Sequence, residues 1–189
     1  GRDVTEQKLE KAKFQNSMQA LFASNPESLC SFQLNLTKDT CSEGHGISPN
    51  ILKILRSDTV DGIYANTSKL IPTETERKNF TKKLNKKALL EIFYSGKNEY
   101  QYDYRRNGEA GNLIWVRNYV NMLRNPETGD IEAVSYSRDI TREKRENEIF
   151  KLITNKEYDF VALLHLNTGK IEFMHISQSL PGEYRDYFK

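Results

Sequence analysis

The 189-residue sequence has no apolar run longer than a handful of residues, only two cysteines and almost no net charge. A bilayer-spanning helix needs about 20 consecutive apolar residues, so we expect no membrane contact by this chain. No charged-then-apolar leader precedes the first helical segment, and we therefore expect no signal peptide. Cys30 and Cys41 lack CxxC spacing, which favours reduced thiols in a cytoplasmic protein. With 28 basic and 26 acidic residues, nothing global attracts nucleic acid.

Catalytic motifs are also missing from the sequence. It contains no GxxxxGK[ST] phosphate loop, no HExxH pair and no nucleophile elbow, and no spacing brings serine, histidine and carboxylate together. We therefore expect that this chain is not an enzyme. Cys41, Glu43 and His45 alternate as metal ligands on a strand could, but one ligand of each type at that spacing is a frequent coincidence, so we predict no metal site.

A repeated segment is the most informative feature that the sequence does contain. Arg-Asp-Ile-Thr at 138–141 is nearly the same as Arg-Asp-Val-Thr at 2–5, and both precede a charged helical stretch. Leu-Asn-Leu-Thr at 34–37 likewise corresponds to Leu-His-Leu-Asn at 164–167. Such self-similarity indicates repeated modules. We predict four segments: a linker helix that ends a preceding module (1–24), one whole module (25–141), a signalling linker helix (142–157) and the start of a following module (158–189).

Hydrophobic periodicity predicts an α+β module with an antiparallel sheet. Helices are expected up to Ala23, from Ser48-Pro49, from Thr73 or Thr75 to Ser95-Gly96, and from Glu143 to about Asn155. The stretch 57–64 is predicted to be irregular. The predicted strands, including a final hairpin with Thr168-Gly169 at its tip, cover 29–37, 40–43, 99–106, 112–123, 131–138 and 158–173.

Several short motifs in this order resemble the Trp-containing subgroup of PAS domains. Along the chain they are Tyr-Arg-Arg-Asn-Gly at 104–108, Ile-Trp-Val at 114–116, Asn-Pro-Glu-Thr-Gly-Asp at 125–130 and Asp-Ile-Thr at 139–141. The resemblance implies a five-stranded antiparallel sheet in the order 2-1-5-4-3, with helices on one face and flanking N- and C-terminal helices.

The resemblance also implies a role. It is that of a sensory and dimerisation module in a multidomain bacterial signal-transduction protein, whose output, a diguanylate cyclase or a histidine kinase, lies outside this chain. Its partners would then be neighbouring PAS and output domains and a small-molecule ligand. The alternative is a ligand-free protein–protein interaction scaffold in a tandem PAS array.

Strand alternation predicts which side chains face the ligand pocket that the resemblance places under the helices. One face is aromatic: Tyr100, Tyr102, Tyr104, Trp115, Tyr119 and Tyr136. Because Ser137 stands two residues before Asp139, the resemblance turns it inward, and with it the more polar set: Gln101, Asp103, Val116, Asn118 and Ser135. These groups would suit a small polar ligand, or they bond each other around a closed core.

Two cofactors common among sensors are disfavoured, and the cofactor itself stays unknown. A haem-binding PAS domain would offer a histidine from the helical middle, and 47–98 contains none. A flavin-adduct domain needs a cysteine in a helix-opening motif, where neither Cys30 nor Cys41 stands. The basic run from Arg77 to Lys87 fits the solvated side of an amphipathic helix, with contact to a nucleotide or an acidic partner as the alternative.

Two further predictions concern signalling and assembly. Asp139 and Thr141, with Asp3 and Thr5 in the earlier copy, match the PAS border motif and are predicted to couple the sheet to the following helix. The apolar stripe of the first helix, formed by Phe14, Met18, Leu21 and Phe22, is predicted to form a homodimer interface. The alternative is that this stripe covers the aromatic face within one chain.

Overall fold

The computed structural model describes residues 4–23, 28–42, 44–154 and 160–176. The chain divides into two compact units, Gly1–Ile140 and Thr141–Lys189. The first unit contains five helices and five strands in this order: α1 (Val4–Ala23), β1 (Cys30–Asn35), β2 (Thr40–Cys41), α2 (Pro49–Leu55), α3 (Val60–Ser68), α4 (Glu74–Lys83), α5 (Lys86–Tyr94), β3 (Glu99–Asn107), β4 (Leu113–Arg124) and β5 (Ile131–Asp139). The second contains α6 (Thr141–Thr154) and a hairpin of β6 (Phe160–His165) and β7 (Lys170–Ile176).

The sheet of the first unit has the strand order β2-β1-β5-β4-β3, and every neighbouring pair is antiparallel. The predicted α+β class and the 2-1-5-4-3 order are therefore confirmed. The tight turn between β4 and β5 shows why the pairing holds. Asn125 accepts a hydrogen bond from the backbone of Glu127 through its side chain, and Gly129 adopts φ 77°, which glycine tolerates best.

The core lies between one face of this sheet and helices α2 to α5. Phe80 of α4 and Leu89 of α5 are fully buried, as are Val116 and Val120 of β4. Phe80 is central, because its ring centroid lies 4.7 Å from that of Tyr104, 6.2 Å from that of Tyr102 and 6.3 Å from that of Tyr64. We call this sheet surface the inner face and the opposite one the outer face.

Two helical predictions were wrong. The stretch 57–64 is not irregular, because α3 begins at Val60, with the Thr59 side chain accepting the backbone N–H of Gly62. The single helix predicted from about 73 to 94 is interrupted at Leu84, whose backbone is extended. Asn85 then caps α5 by accepting the N–H of Ala88 at 2.8 Å, a role that asparagine fills better than a helix interior.

Several smaller boundaries also differ from the predictions. Helix α6 begins at Thr141 and not, as predicted, at Glu143. Thr5 lies in the first turn of α1, which begins at Val4. Strand β2 ends at Cys41. Predictions made on Asp3 and Glu43 fall outside the described residues, as does the predicted start of the last hairpin at 158. None of the helices described is both long and apolar enough to cross a bilayer.

Candidate ligand pocket

Cross-strand register decides which predicted pocket residues face the helices. Val116 and Asn118 of β4 and Ser135 and Ser137 of β5 are buried, and Asn118 pairs directly with Ser137. Asn118 also pairs with Tyr102 on the other side, so the tyrosines of β3 share its face. Four of the six predicted positions are thus on the inner face.

The other two predicted pocket residues were placed on the wrong face. Gln101 pairs with Tyr119 and Asp103 with Arg117, on the outer face of the sheet. The alternation within β3 was predicted correctly, but the aromatic side chains of three strands were assigned to one surface. Tyr100, Tyr102 and Tyr104 lie on the inner face, whereas Trp115, Tyr119 and Tyr136 lie on the outer face.

A small cavity of about 10 Å³ lies on the inner face, beneath α2 and α3. A cavity of roughly this size has room for about one water molecule. Its walls mix apolar and polar side chains: Cys30, Phe32, Leu55, Ile63, Tyr64, Thr67, Tyr104, Arg106, Asn118, Ser135 and Ser137.

Most polar groups around the cavity are bonded to each other. Tyr64 donates its hydroxyl to Ser135 Oγ at 3.2 Å, and Asn118 donates Nδ2 to the same oxygen at 3.3 Å. The Cys30 thiol and the Ser137 hydroxyl lie 3.0 Å apart. Thr67 donates to the carbonyl of Ile63. The ordinary requirement that buried polar groups find partners is therefore met here.

Arg106 is the exception, and the strand pattern did not identify it as a pocket residue. Only 1% of the residue is exposed, and its side chain lines the cavity. Nη1 donates to the carbonyl oxygen of Asn107 at 3.1 Å, and a second hydrogen bond joins the guanidinium to the Tyr104 hydroxyl, whereas a guanidinium has five N–H donors. Among the described residues, no carboxylate lies within 4 Å of the guanidinium. Arg106 stands two residues after Tyr104 on β3, so the two side chains share a face. Had the β3 tyrosines been assigned to the inner face, Arg106 would have been predicted there too.

The titratable neighbours of Arg106 do not supply the missing negative charge. Burial raises the pKa of the Cys30 thiol, although its hydrogen bond to Ser137 and the nearby Arg106 charge act in the opposite direction. Burial likewise raises the pKa of Tyr104, against the lowering effect of Arg106, and that of Tyr64. All three groups are consequently neutral near pH 7.

Two arginines on the outer face, by contrast, are paired with carboxylates. Arg117 binds Asp103 through two hydrogen bonds of 2.6 and 2.9 Å, and Arg105 binds one oxygen of Glu76 at 2.9 and 2.7 Å. The rings of Tyr119 and Tyr136 stack with centroids 4.8 Å apart.

The predicted dimer stripe has contacts within its own unit. Met18 is buried, and the ring of Phe22 lies edge-on to that of His45 at 5.3 Å. Phe14 lines a groove together with Leu123 and Pro126 of the β4–β5 region. Leu21 is half-buried. These contacts favour the alternative that the stripe packs within one chain, and the homodimer stays a prediction.

The predicted coupling residue Asp139 and Cys41, one of the three alternating residues that were considered as metal ligands, each end a strand. Asp139 is the exposed last residue of β5, and the next backbone N–H, from Ile140, donates to the Trp115 carbonyl at 2.9 Å. Cys41 donates its thiol to the Ser42 carbonyl. Within the described part of the chain, no three histidine, cysteine or acidic residues lie close enough together to hold a metal ion.

Comparison with known proteins gives similarity in structure only. No protein-family profile matches the sequence, and no curated protein matches it. The N-terminal domain of a diguanylate cyclase with a PAS/PAC sensor from Marinobacter aquaeolei is 15% identical, with 61% of this chain and 97% of that chain covered and a TM-score of 0.36. A sensory box histidine kinase/response regulator from Burkholderia thailandensis is 14% identical over 72% and 96%, with a TM-score of 0.38. A PAS domain from Colwellia psychrerythraea is 10% identical over 66% and 98%, also at 0.38.

Proposed function

We propose, from the PAS fold that its sheet and helices form, that this chain is a sensory module of a multidomain bacterial signal-transduction protein. A small ligand would bind between the sheet and helices α2 and α3. The output, a diguanylate cyclase or histidine kinase domain, would lie outside this chain. Because a fold hosts many functions, the proposal has to rest on the site itself.

The polar lining of the inner-face cavity is the observation that carries the proposal. A sheet face that served only as core would be apolar, as it is around Val120 and Met122. At the cavity the same face carries Asn118, Ser135 and Ser137, and Arg106 lies among them. Convergent polar groups inside an apolar wall are typical of ligand sites.

A ligand-free scaffold in a tandem PAS array is the second candidate. The cavity volume of about 10 Å³ favours it, because an organic ligand needs more room than that. The mutual bonds of Tyr64, Asn118 and Ser135 also favour a closed core.

Native mass spectrometry of the freshly purified chain separates the two candidates. A sensor should carry a non-covalent mass that is lost on denaturation, and the loss should be reproduced when Asn118→Leu fills the pocket. A scaffold should give the bare protein mass, as monomer or dimer. The matched control is Asn121→Leu on the neighbouring outer-face position of β4, which should keep the bound mass.

We also propose that Asp139 and Thr141 couple the sheet to the following helix. Their place supports this, because Asp139 ends β5 and Thr141 begins α6. In the intact protein, Asp139→Asn and Thr141→Val should change regulated output at temperatures where both variants are fully folded. Normal output from folded variants would leave the two residues with a local structural role.

Dimerisation through α1 is the last element of the proposal. Phe14 and Leu21 are only half-buried in the single chain, so both could contribute further area to an interface. Phe14→Asp combined with Leu21→Asp should convert dimers to monomers in light scattering, with circular dichroism confirming the fold. A double variant that is folded and still dimeric would place the interface elsewhere.

A further inference from the structure

We propose that the inner-face cavity is the binding site for a small monocarboxylate, whose carboxylate group pairs with the guanidinium of Arg106. The inference rests on the proposed sensory function and names the chemical class of its ligand. It starts from a buried charge, that of Arg106, for which the described residues provide no counter-charge.

Burial makes the isolated charge of Arg106 expensive. A guanidinium removed from water is stabilised only when hydrogen bonds and an opposite charge replace the lost solvation. Arg106 has hydrogen bonds to two neutral groups, the Asn107 carbonyl and the Tyr104 hydroxyl, and no carboxylate of the described residues reaches it. The hydroxyl and thiol groups nearest to it, on Tyr104 and Cys30, are neutral near pH 7. An anionic ligand would provide what the protein does not.

The geometry and the walls favour a carboxylate over other anions. The planar guanidinium fork matches the two oxygens of a carboxylate, and such bidentate pairs are among the strongest hydrogen bonds in proteins. One buried cation balances a single negative charge, and a phosphate carries more than one near neutral pH. Phe32, Leu55 and Ile63 offer apolar contact to a short hydrocarbon tail.

Binding has to enlarge the cavity. A volume of about 10 Å³ does not accept a carboxylate with a tail, so side chains at its walls must move. Leu55 ends α2 and Ile63 lies in α3, and both line the cavity. Entry of the ligand would therefore displace two helices relative to the sheet, and a ligand that favours one of two arrangements shifts their populations.

Titration with a carboxylate series tests the proposal. Formate, acetate, propionate and butyrate are added to the purified chain at constant ionic strength, with sodium chloride as the salt control. At least one acid should raise the melting temperature saturably and give a binding isotherm in calorimetry. The neutral amide of that acid, propionamide in the case of propionate, should do neither.

Variants at two adjacent arginines assign the site. Arg106→Gln should abolish the carboxylate isotherm, and Arg106→Lys, which keeps the charge but loses the fork, should weaken binding at least tenfold. Arg105→Gln removes the same charge from the next residue of β3, on the outer face, and should leave the affinity unchanged. If Arg106→Gln does not fold by circular dichroism, the Arg106→Lys comparison with Arg105→Gln carries the test.

The outcomes separate this inference from the proposed function. No saturable binding by any acid of the series overturns the inference, as does binding that Arg106→Lys leaves unchanged. A neutral molecule found bound by native mass spectrometry would contradict the proposal of a carboxylate ligand and would still support the proposed sensory function. A bound carboxylic acid that is lost in Arg106→Lys supports both.

Discussion

Arg105 and Arg106 are neighbours in sequence and have opposite surroundings. Arg105 lies on the outer face, half-exposed, where it pairs with Glu76 and stands 5.7 Å from the ring centroid of Trp115. Arg106 lies on the inner face, fully buried, and its hydrogen bonds among the described residues go to two neutral groups, the Asn107 carbonyl and the Tyr104 hydroxyl. Strand alternation alone sends the two side chains to opposite sides of the sheet.

The difference between the two arginines reflects how charged side chains are partnered on the two faces of the sheet. On the outer face, Arg105 and Arg117 are paired with carboxylates that water also reaches. The inner face satisfies its neutral polar groups internally but leaves one cation without a counter-charge among the described residues. A buried charge without a counter-charge lowers stability because its desolvation is not compensated, and we therefore connect Arg106 with ligand binding.

The largest expected contrast between the two faces concerns aromatic packing. Phe80→Ala should lower the free energy of unfolding by about 3–5 kcal/mol, because Phe80 is fully buried among Tyr64, Tyr102 and Tyr104. Tyr119→Ala on the outer face should cost less than about 2 kcal/mol, since it loses one stacked ring and keeps solvent access. Urea unfolding measures both, and equal losses would contradict the assignment of the two faces.

The sequence was sufficient for the order of the strands and for the faces of β4 and β5. Alternation placed Asn118, Ser135 and Ser137 correctly, because each strand carries its own period of two. It could not give the offset between β3 and β4, which depends on the register that pairs Tyr102 with Asn118. The tyrosines of β3 were therefore grouped with the aromatic residues of the outer face. Their inner-face partner, Phe80, belongs to α4, and strand alternation carries no information about that contact.

Two local features were also beyond the sequence pattern. The interruption between α4 and α5 follows from the Asn85 cap, which competes with an uninterrupted run of helical periodicity. Arg106 looked like a surface residue of a polar turn motif. Its burial depends on the helices that pack on the inner face and exclude water from it, and that packing cannot be read from the β3 sequence.

A smaller effect is expected from the neutral polar network of the inner face. Ser135→Ala removes the oxygen that accepts from Tyr64 and Asn118 and should cost about 1–3 kcal/mol, because buried donors lose their acceptor. Ser95→Ala, at an exposed helix end, is the control and should stay within about 0.5 kcal/mol. If thermal unfolding finds the two variants alike, the network does not stabilise the inner face.

The smallest effect concerns the ion pair between Arg105 of the sheet and Glu76 of α4. Hydrogen bonds from Thr73 and then Arg105 lower the pKa of Glu76, so its contribution is present above the unfolded-state pKa and is lost as pH falls through the folded-state pKa. Glu76→Gln should cost less than about 1 kcal/mol at pH 7, and the difference from wild type should vanish between about pH 5 and pH 3. Melting temperatures across that range measure it, with Glu74→Gln on the same helix as control. A pH-independent difference would exclude the ionic contribution.

Urea unfolding of Arg106→Met in carboxylate-free buffer tests the central claim most directly. If Arg106 is a buried charge kept for a ligand, methionine of similar length should leave the free energy of unfolding equal to wild type or raise it, because replacing buried charges with apolar side chains is often neutral or stabilising. Two groups lose Arg106 as a partner. The Asn107 carbonyl belongs to an exposed residue and can bond to water, and the buried Tyr104 hydroxyl loses one neutral hydrogen bond, worth about 1 kcal/mol. A loss of more than about 2 kcal/mol would contradict the account, since it would mean that Arg106 is a structural residue whose partners already stabilise it.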